Sequence, residues 1–351
     1  MQLIYVYIAQ RNHSTINEVN MKNMMTFLCL AVLSTPTFAG SVQKVLYGKD
    51  DRQEVSSYPN EMFQKLAQSV AGRVSKYDLE LEQGSESSNA ILDSIRELRE
   101  LYSSLGLSFD ESSLTSTVST DAVATPGSFY KYSAQTLGDR INACSEERFT
   151  KQPTLMSCTG FLVGKDLLVT AGHCMTSNFD CSGNKWVFGF TEGIDKIPSN
   201  SVYNCKEVVS QEQISLPFIG TTDYAVIRLD RPVTDRAPLK FRTSGKIRSK
   251  ADVLVIGHPL GLPLKIADNA TVRGTFGKTF NANLDTYGGN SGSPVFNART
   301  GLVEGVLVQG AEDLDYQGSC TASRSENGKK EVIYKITRLK ALQKLHKQGN
   351  L

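Results

Sequence analysis

The stretch CTGFLVGKDLLVTAGHC, residues 158–174, sets two short apolar runs on either side of a Gly-Lys-Asp turn and ends at a histidine and a cysteine. Gly160–Val163 and Leu167–Thr170 read as neighbouring strands, because each is short, apolar and bounded by turn residues. Asp166 belongs to the turn, where a short carboxylate bonds nearby backbone. His173 closes the second run beside Cys174. Histidine is scarce here: His13, His173, His258 and His346 are the whole set. A histidine at a strand end is thus a sharp candidate for a base, and a base is useful only with a nucleophile to serve.

Outward from this hairpin the pattern repeats. Lys185–Phe190, Tyr224–Leu229, Val253–Gly257, Leu302–Val308 and Val332–Ile336 are apolar or alternating runs punctuated by Gly, Asp and Asn. Many short strands with turn residues between them predict an all-β sandwich or barrel from Leu155 onward. Leu339, Leu342 and Leu345 recur at helical spacing and predict a C-terminal helix over Arg338–His346. Residues 40–140 differ. Tyr47–Val55 and Ser69–Val74 suit strands, and Pro59–Gln68 and Asn89–Leu105 have helical spacing. Ser112–Ser128, rich in Ser, Thr, Ala and Gly, reads as a linker.

Two more stretches carry chemistry. In DYAVIRLD, 223–230, Asp223 stands ahead of an apolar strand. A carboxylate there can be drawn partly inside by a strong partner such as an imidazole N–H. In GNSGSP, 289–294, Ser291 is flanked by Gly289 and Gly292, with Gly288 just upstream. Glycines leave backbone N–H groups uncrowded, as an oxyanion hole requires, and Gly289 and Ser291 are the natural donors. The residue two after Ser291 is Ser293, so this is not a G-x-S-x-G elbow.

The order His173, Asp223, Ser291 and the segments around them resemble a trypsin-like, chymotrypsin-fold serine endopeptidase. More narrowly they are similar to bacterial secreted enzymes related to the glutamyl endopeptidases. CTGFLVGKDLLVTAGHC (158–174), DYAVIRL (223–229), VIGHPLG (255–261) and LDTYGGNSGSPVFN (284–297) carry the resemblance, with YGKDDRQEV (47–55) as an N-terminal strand. The resemblance implies two six-stranded antiparallel β-barrels with the site between them. It implies Ser291 as nucleophile, His173 as general base and acid, Asp223 as its orienting partner, and the Gly289 and Ser291 amides as oxyanion donors. It also pairs Cys158 with Cys174. For Cys144, Cys181, Cys205 and Cys320 the expectation is Cys144–Cys320 with Cys181–Cys205, one of three pairings the sequence leaves open.

The resemblance further makes Asp285 the floor of the primary specificity pocket, selecting Lys or Arg; as a plain residue it caps a turn. Gly310 is expected along that pocket, in Val308-Gln309-Gly310 where trypsin-like enzymes read Ser-Trp-Gly, and Val332 is expected to narrow it. Glutamyl endopeptidases place a histidine where this chain has Leu307, which argues against glutamate specificity. His258 is expected to be a loop histidine with no catalytic part. Arg140-Ile141 is a candidate activation cleavage site, although Asn290 before the serine, rather than an aspartate, argues against a trypsin-style switch.

The 351 residues include 40% hydrophobic and 21% charged residues, with a formal net charge of +2. Nothing there calls for nucleic acid or a membrane surface as partner. Met21-Lys22-Asn23, the apolar run Met24–Leu33 and small residues Thr37 and Ala39 read as a signal peptide cut after Ala39. The expected organisation is an extension and signal over 1–39, then a protease domain over 40–351 with an insertion at about 76–130 that contains helices. Removal of Cys29 with the signal leaves an even set of cysteines, which suits disulfides in a secreted, extracellular or periplasmic protein. No C-x-x-C and no acidic calcium loop is present, so no metal and no cofactor are expected. Protein or peptide substrates and a monomer are expected. The alternatives are a Glu-specific endopeptidase or a non-catalytic protease-fold binding protein, although none of Ser291, His173 and Gly289 has been lost.

Overall fold

The computed structural model describes residues 50–82, 97, 100–102, 104–105, 127–216, 220–310, 313–324 and 331–349. The signal peptide, and all of the expected linker up to residue 126, lie outside the described residues.

The hairpin over 158–174 forms where expected, as β5 (Cys158–Leu162) and β6 (Leu167–Thr170). Both are buried along their whole length, which is why they read as continuous apolar runs rather than alternating ones. They join β2 (Val70–Ser75), β7 (Asn184–Phe188), β9 (Val202–Leu216) and β10 (Gly220–Leu229) in a closed six-stranded barrel of order β10-β6-β5-β2-β7-β9. Phe161, Leu168, Trp186, Phe188 and Val226 fill it. Full burial of one such side chain is worth about 1.5–3 kcal/mol.

A second barrel follows. It consists of β11 (Asp252–Gly257), β12 (Lys265–Phe276), β13 (Thr279–Ala282), β14 (Pro294–Asn297), β15 (Val303–Gln309) and β18 (Glu331–Lys335). The order is β12-β11-β14-β15-β18-β13, closed by pairing of β13 with β12, and every pairing is antiparallel. Val253, Phe280, Val295 and Ile333 lie in its core. The N-terminal β1 (Arg52–Glu54) lies on the outer edge of β12, with Arg52 opposite Ala267. Tyr58 and the helix α1 (Glu61–Ala67) then carry the chain to the first barrel, Phe63 meeting Phe296 edge-on at 5.9 Å.

Between β2 and β5 the chain leaves the first barrel. β3 (Leu79–Glu82) and β4 (Phe129–Tyr132) pair with each other, and β4 pairs with β8 (Ile197–Pro198). The long intervening segment therefore departs from and returns to one small sheet. Arg140 and Ile141 are not in an open loop but in a short helix, α2 (Leu137–Ile141), held after Thr136, whose hydroxyl accepts from the Asp139 amide. Another short helix, α3 (Asn178–Gly183), follows His173 and is fixed by a capping box between Ser177 and Asp180. β16 (Leu314–Tyr316) and β17 (Thr321–Ser323) form a separate hairpin. At the end α4 (Lys340–Lys347) buries Leu342 against the core that contains Tyr334 and Leu339.

Disulfides join Cys144 to Cys320, Cys158 to Cys174 and Cys181 to Cys205. Among the described residues no helix is long and apolar enough to cross a membrane.

Candidate active site

His173 leaves the end of β6 in a single helical turn over Gly172–Cys174, and the Cys158–Cys174 disulfide ties that turn to β5. Asp223 comes from β10, the neighbour of β6, two residues before Ala225 pairs with Thr170. Its two carboxylate oxygens serve the same residue. Oδ1 accepts the His173 backbone N–H at 3.0 Å, and Oδ2 lies 2.7 Å from His173 Nδ1. Asp223 is buried and His173 partly exposed, at 8% and 31% of their side-chain surfaces, so the aspartate is screened from water while part of the histidine is not. Gly172 makes this approach feasible. A Cβ there would stand 2.3 Å from the Glu212 carbonyl oxygen and 2.9 Å from Asp223 Oδ1. The glycine of TAGHC is therefore required first by the Glu212 carbonyl and then by the aspartate and its neighbouring amide.

Ser291 arrives on the loop between β13 and β14. This loop is locked to the first barrel: the Thr159 N–H donates to the Ser291 carbonyl at 2.8 Å, and the Thr159 hydroxyl donates to the Gly289 carbonyl at 2.8 Å. Gly292 has φ +90° and packs on the end of β6, where a Cβ would lie 2.1 Å from Thr159 O, 2.3 Å from Thr170 Oγ1 and 2.8 Å from Ala171 N. Only glycine satisfies both the backbone angle and that contact. The contact with Ala171, two residues before His173, brings the serine loop and the histidine turn together.

The amides around the serine divide into two groups. Gly288 donates to Asp313 Oδ2, Asn290 to Tyr287 O, Gly292 to Leu307 O and Ser293 to Asn290 O. The N–H groups of Gly289 and Ser291 donate to no described residue. Gly289 adopts φ +97° against the His258 carbonyl, which sets the turn. His258 itself is buried, donates its Nδ1–H to the Leu262 carbonyl at 2.9 Å, and has its pKa pushed down to about 4 by burial. Its amide donates to Thr159 Oγ1, so it braces the loop and does not reach the histidine–aspartate pair. Asp166 is bound to Arg228 at 2.8 Å, in its turn.

Beside Ser291 lies a cavity of about 130 Å³. Thr286, Tyr287 and Gly288 form one wall, and Leu307, Gln309 and Gly310 on and after β15 another. Gly310 lines the cavity. Asp285 is not among the lining residues: it is 3% exposed and its Oδ2 accepts the Asp51 amide at 3.0 Å, on the N-terminal segment leading into β1. The acids that line the cavity are Asp313 and Glu331. Val332 does not line it; Glu331, one residue earlier, does, since neighbours in a strand point to opposite faces. Burial pushes the Asp313 carboxyl up to about 6, against the Gly288 hydrogen bond and the nearby Arg52 charge, which act to lower it. No sequence motif marks either acid, because each reaches the cavity only through pairing of distant segments.

Cys158, His173 and Cys174 have their ligand atoms within 4.8 Å of one another, but the two sulfurs are bonded to each other and are not free to take a metal.

Residues 158–306 match the family model described as trypsin-like peptidase domain. Among similar proteins, a Secreted RxLR effector protein 73 from Plasmopara viticola is 29% identical over 40% of this chain and 38% of its own. A Trypsin-like protease from Streptomyces glaucescens is 34% identical over 26% of this chain and 32% of its own. A Glutamyl endopeptidase from Bacillus licheniformis is 27% identical over 49% of this chain and 52% of its own. The chain thus spans about a third to a half of the length of these relatives. Two closed antiparallel barrels agree with the matched segment, and residues 158–306 are similar to the trypsin-like peptidase domain.

Proposed function

We propose that the protein is an exported serine endopeptidase that hydrolyses peptide bonds through an acyl-enzyme. The observation that carries this is the two-point grip of Asp223 on His173, at 3.0 and 2.7 Å, facing a serine loop with two undirected amides. In this reading Ser291 Oγ attacks the scissile carbonyl while His173 Nε2 takes its proton. Asp223 keeps the Nδ1 proton in place and stabilises the imidazolium. The Gly289 and Ser291 N–H groups receive the oxyanion, each such donor being worth about 2.7–4 kcal/mol of barrier. The proton passes to the leaving amine, and water, activated by the same histidine, then releases the acyl group. No cofactor takes part.

Three disulfides suit an oxidising compartment, which supports export by the N-terminal signal read in the sequence. The expected preference for Lys or Arg is supported by carboxylates in the cavity rather than by Asp285. A second reading, cleavage after glutamate, is favoured by the name of the relative from Bacillus licheniformis. The same carboxylates oppose it by like-charge repulsion.

The test is digestion of an unfolded protein of known sequence by mature wild type and by Ser291→Ala, with new termini mapped by mass spectrometry. Cuts made by wild type alone support the nucleophile. Equal cutting by both would remove it.

A further inference from the structure

We infer that the exposed cations of residues 236–251 and of the C-terminal segment with α4 form one surface that binds a linear acidic polysaccharide, a chain carrying sulfate or carboxylate groups. The surface shares no residue with the cavity beside Ser291. It stands or falls independently of the proposed catalysis.

The sequence concentrates the charge. No acid lies between Asp235 and Asp252, and none follows Glu331. Eleven of the 38 lysines and arginines fall in these two stretches, so the formal +2 of the whole chain hides a basic surface on an otherwise acidic protein. Arg236 is held by Asp235 and Arg242 by Glu304. The others are not so committed. Lys240, Lys246, Arg248 and Lys250 are exposed, and so are Arg338, Lys340, Lys344 and Lys347. Among the described residues none of these has an ion-pair partner.

Folding brings the two stretches together. Phe241 meets His346 edge-on, with ring centres 5.6 Å apart. Lys335, at the end of β18, donates its ammonium to the Gly277 carbonyl at 2.9 Å. Burial, and then the Arg338 and Lys246 charges, push that ammonium below its ordinary range, so a cation from each stretch stands near it. On α4, Lys340, Lys344 and Lys347 share one face at steps of about 5–6 Å, since residues three and four apart are neighbours on a helix. On the other side Leu342 is buried and Leu345 packs against the same core.

Helix stability does not ask for this arrangement. Cations in the last turn suit the helix dipole, but Lys340 is in the first turn, where no acid stands and a cation is disfavoured. Lys340 and Lys344 are also a like-charge pair four apart, which destabilises a helix. A bound polyanion offsets both costs and releases its own counterions.

The surface offers charge and little else. Among the described residues, no exposed large apolar side chain comes from either stretch. Without an apolar face to insert, a membrane would be held by charge alone. Without a row of exposed rings, single-stranded nucleic acid has nothing to stack on. Phe276, beside Gly277, is exposed but is one ring. A linear acidic polysaccharide needs only cations at intervals near the length of a sugar unit, which the α4 lysines provide.

The probe is fluorescently labelled heparin, titrated with the mature Ser291→Ala protein at about 0.15 M salt and followed by anisotropy. Duplex DNA and vesicles of phosphatidylcholine with phosphatidylglycerol are titrated in parallel. Saturable heparin binding is expected, falling steeply with added salt. Lys344→Gln with Lys347→Gln, and Lys246→Gln with Arg248→Gln, should each weaken it about 3–30-fold, the range for two exposed charge contacts. Lys151→Gln with Lys206→Gln removes the same charge elsewhere and should leave binding near that of the parent. Thermal midpoints near the parent's show that the pairs fold; should the α4 pair not fold, the 246/248 pair decides. Fluorophosphonate labelling of Ser291 should be unchanged by either pair in the wild-type chain. Absence of saturable heparin binding overturns the proposal. Equal loss in all three pairs also overturns it, since net charge and not a site would then be responsible. Tighter binding of DNA or of vesicles, lost in the same pairs, overturns it and gives the surface to that partner. Heparin binding without serine labelling leaves this surface standing and removes the nucleophile.

Discussion

The two barrels supply the site in different ways. The first presents His173 and Asp223 from the ends of β6 and β10, strands that pair with each other in its own wall. The second presents Ser291 from a loop, and builds the cavity from Thr286–Gly288, Gln309–Gly310, Asp313 and Glu331, which come together only when β13, β15 and β18 pair. The histidine–aspartate pair therefore inherits its geometry from one ladder. The cavity depends on several ladders, a separate hairpin and a disulfide. Chemistry should be robust to changes in the cavity, and selectivity should be robust to none of them.

The sharpest way to break this division is at the chemistry. Ser291→Ala and His173→Ala should each lower peptide-amide hydrolysis by about 10⁶-fold, and Asp223→Asn by about 10⁴-fold. Binding of p-aminobenzamidine, a planar amidinium probe of the cavity beside Ser291, should stay near wild type in these variants. If binding fell as far as turnover, the two barrels would not be separable contributors.

The next test is steric. Gly292→Ala places a methyl about where Thr159 O and Thr170 Oγ1 already lie, on a backbone that disfavours it. A cost of roughly 1–3 kcal/mol is expected from overpacking alone, read as a lower denaturant midpoint. Turnover should fall further than stability explains, because the serine loop is displaced from the histidine turn.

Replacing Cys144 and Cys320 by alanine should cost about 2–5 kcal/mol. It should also erode Lys and Arg preference while fluorophosphonate labelling persists, since that disulfide holds the hairpin behind Asp313. Replacing Cys158 and Cys174 should do the reverse, lowering labelling through the His173 turn. Equal effects on both readouts from both pairs would contradict the comparison.

The smallest effect is in pH. Asp313, pushed up to about 6, faces the Gly288 amide, Glu331 and, behind Tyr287, the Arg52–Asp50 pair. Above that pH it is charged and attracts a cation; as the pH falls through 6 it takes a proton and the attraction is lost. Amidinium affinity should therefore fall by up to about tenfold between pH 7 and pH 5. Asp313→Asn should flatten that profile, and an unchanged profile would show that Asp313 does not face the ligand.

Much of the first barrel could be read directly. Gly160–Val163 and Leu167–Thr170 carry no charge because those strands are buried along their length, Tyr224–Leu229 is interrupted only by the half-exposed Arg228, and the three fall within β5, β6 and β10 or extend them by a residue. The long strands β9 and β12 were not anticipated. VYNCKEVVSQEQISL is polar and KIADNATVRGTF lacks a steady alternation. Bulges in their pairing, at Val226/Ile227 and Val272/Gly274, shift which face each residue presents, so the period of two is broken. The short helix over Leu137–Ile141 was missed for a different reason: one turn is too little for a helical period to register.

The residue types and order of His173, Asp223 and Ser291 are legible in short motifs, and so are the glycines beside them. What requires those glycines is tertiary: the Glu212 carbonyl crowds Gly172, and Thr159 and Thr170 crowd Gly292. Which acids line the cavity was decided by folding. Asp285 and Glu331 are 46 positions apart in sequence and both buried, yet the edge strand β1 brings the Asp51 amide to one while the β15–β18 pairing turns the other into the cavity. Strand pairing sets side-chain direction residue by residue, and a carboxylate's neighbours, rather than its distance from the serine along the chain, determine what charge it can meet.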